Sequence, residues 1–339
     1  MEIEFHYWMT GFIAREAGFE PDEAAIIAFS SQYVDENDVI FEVADKASGD
    51  IYQNYISQTM NILKPKKDLM RIYPMFHFVP GEPDAPSARR KDGKRHILNT
   101  TPNSENANEI VDSAFKSDHQ IRLYRIGIST HSYVDTWAHQ NFVGWYDDFN
   151  HIDLDIKPNI GHADAEHHPD WISHRWIDNR LVEPVVNNKL RFLSAARELF
   201  RKYCNYQECQ GKPNYFSNWD DLKGRIEDLW GPNYTGSFSK YVEGRNAAYR
   251  KAMPWLKGFN ERKWFDEAIE TKIIGGADSH EGLKAKFTLF EDKYFWKEGL
   301  DRETTHWFRF QEAVKDHQKT AMKQIAPVFS EMGLELNKV

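Results

Sequence analysis

His131, Asp135 and His139 stand at i, i+4 and i+8 in the stretch Ile128-Ser129-Thr130-His131-Ser132-Tyr133-Val134-Asp135-Thr136-Trp137-Ala138-His139. On a helix that spacing places two imidazoles and a carboxylate on one face in successive turns. They are ligands for a first-row metal in type and spacing, and a metal so held points to a hydrolase. A lone histidine on an apolar face is more often satisfied by a core hydrogen bond; two of them one face apart, with an Asp between, are harder to explain that way. Seven of the chain's 14 His fall between His131 and His174. His162 and Glu166, in Gly161-His162-Ala163-Asp164-Ala165-Glu166, repeat the i, i+4 spacing, and Gly161 permits close backbone approach. His6 lies in Glu4-Phe5-His6-Tyr7-Trp8 and His77 in Pro74-Met75-Phe76-His77-Phe78, so each imidazole sits among aromatics and needs a polar partner or a metal. Asp35, closing an Ala-rich helical run, is the best remaining carboxylate, with Asp38 as its alternative. Asp164 and Asp170 are candidates for orienting the imidazoles.

The elements that must position these residues read as helices. Pro21-Asp22-Glu23 opens a run that stops near Asp35–Asp38, with acids at its N-terminus. Residues 104–116, 118–145, 178–204, 219–230, 238–256, 259–271 and 301–328 carry helical signals, the second holding the opening motif. Residues 38–45 and 71–79 read as short extended segments. Residues 65–103 and 146–172 are irregular. The first of these holds the one basic cluster, Arg89-Arg90-Lys91-Asp92-Gly93-Lys94-Arg95-His96, which reads as a solvated loop or as a lip that steers anions. The expected fold is therefore mainly α: a multi-helix, metallohydrolase-like core over residues 1–205, with a C-terminal helical extension over 206–339 that packs on it or forms an interface. A homo-oligomer is left open.

The bulk properties narrow the classes. A chain of 339 residues with 41% hydrophobic content can bury a sizeable core. A formal net charge of -9 argues against duplex nucleic acid as a partner. Cys204 and Cys209 make no disulfide framework. No apolar run approaches membrane-spanning length, so an integral membrane protein is not expected. Nothing in Met1–His6 reads as a secretory leader, so the expected location is cytoplasmic.

Taken in order, His6, Asp35, His77, His131 with Asp135, His139, and His162 with Glu166 resemble the zinc-dependent phospholipase C and single-strand-specific nuclease superfamily. Its members are mostly helical hydrolases of phosphate esters built round a zinc cluster. Thr130–Phe142 looks like an uncharacterised bacterial branch of that group. The resemblance covers about residues 1–175. It implies one zinc held by Asp35, His77, His131 and Asp135, a second by His139, His162 and Glu166, and a third by His6 sharing Asp135. It also implies that Asp35 orients or deprotonates the attacking water, that Asp135 bridges, and that a metal-bridged hydroxide cleaves a phospholipid head group or a nucleotide phosphodiester. The chain departs from the pattern in two places. The active enzymes begin at a Trp whose amine and carbonyl bind the third zinc, whereas here five residues precede His6, with Glu4 as a substitute; and the gap from Asp135 to His139 is shorter. Two zinc ions are therefore the expectation. The alternative is a non-catalytic metal-binding helical protein with a structural or partner-docking role.

Overall fold

The computed structural model describes residues 1–59, 66–152, 160–234, 238–272 and 292–334. The described part is mainly α. A π-helical turn, Glu4–Met9, runs into α1 (Thr10–Glu16) and is followed by α2 (Pro21–Glu36). Pro21 opens α2, where Glu20 and Glu23 form a reciprocal capping box. Strands β1 (Glu42–Ala44) and β2 (Ile51–Gln53) come next, then the short helices α3 (Lys66–Met70) and α4 (Tyr73–Phe76). Helix α5 (Glu105–Ala114) is capped by Ser104, whose Oγ accepts from the Ala107 amide. Helix α6 (Arg122–Ala138) carries His131 and Asp135 and is buried along almost its whole length. A hairpin of β3 (Arg175–Ile177) and β4 (Val185–Asn187) leads directly into α7 (Asn188–Cys209). Helices α8 (Trp219–Trp230), α9 (Phe238–Ala252) and α10 (Lys263–Ala268), strands β5 (Ile269–Lys272) and β6 (Lys293–Trp296), and α11 (His306–Glu331) complete the chain.

Helices α2 and α6 form the central pair, with α5, α7 and α11 packed on α6. Gly127 lets the two backbones meet: a Cβ there would lie 2.5 Å from the Ile27 carbonyl oxygen. One hydrophobic cluster runs from Met1 to Phe329, and the small sheet, ordered β2-β1-β6-β5, sets β6 parallel to β1. Strands from residues 42–53 and 269–296 thus share one sheet, and the last 130 or so residues interleave with the first 205. Among the described residues no helix is long and apolar enough to cross a membrane.

Four expected elements differ. The helix expected over 118–145 spans only Arg122–Ala138, with His139 at its C-cap. Residues 71–79 are not extended: Pro74 falls in the first turn of α4, where its missing N–H costs nothing. Residues 178–187 belong to the hairpin, so the helix begins only at Asn188. The run 259–271 is a short helix that turns into β5, where Ile269 pairs with Trp296. In the irregular stretch 146–172, residues 153–159 lie outside the described residues.

Candidate metal centre

The stripe on α6 forms as its spacing requires, and it meets residues from four other segments. His131 and Asp135 face inward, with His131 Nε2 3.2 Å from Asp135 Oδ2. His139 caps the helix; its amide donates to the Asp135 carbonyl, and its Nδ1 lies 3.6 Å from Asp135 Oδ2. Asp35, in the last turn of α2, brings Oδ1 to 3.5 Å from His131 Nε2 and 3.8 Å from His77 Nδ1. His77, just past α4, places Nδ1 3.0 Å from His131 Nε2 and 3.5 Å from Asp135 Oδ2. His6, on the π-helical turn, stacks on His131 at 3.7 Å between centroids, with Nε2 3.1 Å from Asp135 Oδ1. Asp38 is exposed beyond α2.

Four sets of donors have ligand atoms within 4.8 Å of one another: His77, His131 and Asp135, with His6, Asp35 and His131 alongside; His139, His162 and Asp170; and, toward the surface, Glu2, His167 and Asp170. His139 links the Asp135 set to the Asp170 sets, its Nε2 lying 3.4 Å from Asp170 Oδ1. His162 Nε2 lies 3.3 Å from Asp170 Oδ2. Glu166 is not the partner of His162. The backbone there is a single 3-10 turn, Ala163–Ala165, followed by a positive φ of 51° at Glu166, so the i, i+4 stripe does not form. Glu166 is exposed and contributes its carbonyl oxygen, which accepts from His162 Nδ1 at 2.9 Å. Asp170, expected only to orient an imidazole, supplies the carboxylate. Asp164 is turned elsewhere, accepting from the Ile152 amide at 2.7 Å. Glu4 is turned away from the centre: Tyr241 Oη donates to it at 2.7 Å, Tyr249 also donates, and Arg245 lies 3.2 Å away. The Met1 α-amino group lies 2.5 Å from Asp135 Oδ1 and 3.5 Å from Asp170 Oδ1. Burial works against its charge, but Asp135, Asp170 and Asp35 outweigh that and raise its pKa to about 11.

The hydrogen bonds of the imidazoles test whether the donor set suits a cation. His131 Nδ1 donates to the Ser31 carbonyl (2.7 Å), His77 Nε2 to the Ser57 carbonyl (3.0 Å), His139 Nδ1 to the His77 carbonyl (2.8 Å) and His162 Nδ1 to the Glu166 carbonyl. A carbonyl only accepts, so each ring has its proton on the outer nitrogen and turns the other toward the carboxylates. Burial lowers the His131 pKa to about 4, which leaves its Nε2 a bare lone pair. His77 Nδ1 faces it at 3.0 Å, and a cation between the two nitrogens would take the lone pairs of both. Both His6 nitrogens, Asp135 Oδ2 and Asp170 Oδ1 are buried without hydrogen-bond partners. Such groups cost about 1–3 kcal/mol each when left unsatisfied, and metal coordination would offset that cost. A carbonyl holding the far nitrogen of a ligating imidazole is the usual outer arrangement at metal sites.

Burial also lowers the pKa of His6 and His139 and raises that of Asp35, although 29% of the Asp35 side chain stays exposed. Asp135 and Asp170 go the other way. Burial opposes ionisation of both, but the surrounding imidazoles and the Met1 amine hold each well below the usual carboxylate range. Phe78 stacks on His139 at 4.4 Å. Trp8 and Trp137 are buried core, and Trp8 Nε1 donates to Asn246.

Neither the curated proteins nor the solved structures yield a match to this chain. One family does match, over residues 1–325, which include every residue of the centre. The chain belongs to DUF6765, a family of unknown function.

Proposed function

We propose that this chain is a divalent-metal-dependent hydrolase of phosphate esters, with zinc the metal its imidazole and carboxylate donors suit best. The observation that carries the reading is the set of four carbonyl-pinned imidazoles that turn their other nitrogens toward Asp35, Asp135 and Asp170. Bound cations would bring the pKa of a coordinated water toward neutrality and offset charge on a phosphoryl oxygen. His77, His131, Asp135, His6 and Asp35 would hold one cation group, and His139, His162 and Asp170 the other. Asp135 lies among His6, His77, His131 and His139 and would serve both groups. The side chains of Asp35 and His162 stay 29% and 21% exposed while those of His6, His131 and Asp135 are at 0%, so substrate would enter beside Asp35 and His162. Asp35 is thereby the carboxylate placed to orient a water and take its proton. Phe78 and Phe142 would exclude bulk water from the His139 and His162 side.

The complete burial of His6, His131 and Asp135 also suits a closed, structural centre, the second reading. Hydrolysis of bis(p-nitrophenyl) phosphate and p-nitrophenyl phosphate by zinc-loaded protein separates the two. The hydrolase reading expects turnover that falls by about 10²-fold or more in Asp135→Ala. Zinc-replete protein no faster than that variant on either ester would leave the structural reading.

A further inference from the structure

On the outer face of the β3–β4 hairpin an exposed aliphatic pair stands beside the polar Arg175–Asn187 pair, where a solvated sheet face is ordinarily polar throughout. Ile177 pairs across the strands with Val185, and their relative exposures are 60% and 56%; Val182, between the strands, is 49% exposed. The inner face is conventional: Trp176, Val186 and Leu181 pack with Phe78 and Phe142, the rings beside His139 and His162.

The basic segment lies along this hairpin. An antiparallel bridge joins Arg90 to Leu181, the Val182 amide donates to the Arg89 carbonyl (3.0 Å), and the Lys91 amide donates to the Arg180 carbonyl (2.9 Å). Because Arg90 and Leu181 are buried, their neighbours Arg89 and Val182 emerge together on the outer side, and both are exposed. Lys91, Lys94 and Arg95 are exposed as well; Lys94 lies 4.0 Å from Asp92, and Arg95 pairs with Asp84. Two buried arginines fix the arrangement. Arg90 Nη1 and Arg180 Nη1 donate to the same Phe149 carbonyl oxygen at 2.7 and 3.0 Å. On a chain of net charge -9, a cationic edge thus lies beside an aliphatic patch.

We propose that this face docks on the surface of a bilayer containing anionic lipid. Aliphatic side chains at the head-group boundary and cations over anionic head groups are the two signals that together give stable peripheral attachment. A soluble polyanion would use the cations and leave Ile177 and Val185 without a role. The proposal does not rest on hydrolase activity.

Co-sedimentation of the full chain with vesicles tests it, using phosphatidylcholine alone and phosphatidylcholine with about 30 mol% phosphatidylserine. Binding is expected to the mixed vesicles at low salt and not to phosphatidylcholine alone, and to weaken as salt is raised. The double variant Arg89→Gln/Lys91→Gln should lose roughly fivefold in partitioning per cation removed. Ile177→Ser/Val185→Ser should lose roughly tenfold. The two variants alter separate segments, so a folding failure in one leaves the other as a test. Three results would overturn the proposal: no sedimentation with mixed vesicles at low salt; binding that depends on the cations but not on Ile177 and Val185, which indicates a soluble polyanion; or a vesicle-free dimer that dissociates in Ile177→Ser/Val185→Ser, which makes the face a contact between copies.

Discussion

Replacing Gly127 by Ala should damage both the fold and the centre. A methyl group at this position would lie 2.5 Å from the Ile27 carbonyl oxygen, 2.5 Å from Ser30 Cβ and 3.1 Å from the Ser31 amide nitrogen. Two of those atoms are backbone, so no rotamer change relieves the contact, and α2 must move away from α6. Helix propensity favours Ala over Gly by about 1 kcal/mol. Overpacking costs about 1–3 kcal/mol, and contact with helix backbone puts this case toward the upper end. The net expectation is a loss of about 1–2 kcal/mol. The same shift moves the Ser31 carbonyl, which accepts from His131 Nδ1 at 2.7 Å. Losing an outer partner of a ligating imidazole costs roughly 10–100-fold in metal affinity, and a displaced one should sit near the low end. Urea unfolding of metal-free protein reads the first effect, and zinc titration against a competing chelator reads the second. A variant as stable as the parent, with unchanged zinc affinity, would refute this account of the α2–α6 contact.

Two further perturbations separate the groups. Asp170→Ala should abolish metal binding at the proposed His139–His162 group, whereas Glu166→Ala, which keeps the carbonyl that holds His162 Nδ1, should not; zinc content of the two variants checks this. His317 is buried, its Nε2 donating to the Met75 carbonyl (2.9 Å) and its Nδ1 accepting from Arg125 (2.8 Å), and burial followed by the Arg125 charge holds its pKa well below the ordinary value. Below about pH 6.5 the unfolded chain binds a proton there that the folded chain refuses, so this contribution is complete above that pH and is lost as the pH falls below it. His317→Gln should flatten the pH dependence of unfolding free energy between about pH 7.5 and about pH 5.5, by up to about 1.4 kcal/mol per unit; equal slopes in urea melts would contradict it.

The sequence makes side chains on regular helices legible. His131 and Asp135 share a face because α6 is a regular helix, and Asp35 closes α2 because Pro21 and the capping box set where that helix starts. His162 and Glu166 were misleading because i, i+4 spacing has meaning only on a helix, and a positive φ at Glu166 ends the turn there. Asp170 shows no local pattern, since tertiary packing brings it to His139 and His162. The carbonyls of Ser31, Ser57 and His77 left no trace in the sequence either, because every residue carries the same carbonyl and only the fold decides which one meets an imidazole. Chain order still carried information: His6 and His77 were ambiguous singly, and both reach Asp135.

Metal stoichiometry tests the central claim most directly. The full chain, stripped with chelator, reloaded with zinc and freed of excess, should retain about two equivalents by elemental analysis, and His131→Ala should retain about one fewer. Wild-type protein that holds only trace metal after loading would contradict the metal centre itself.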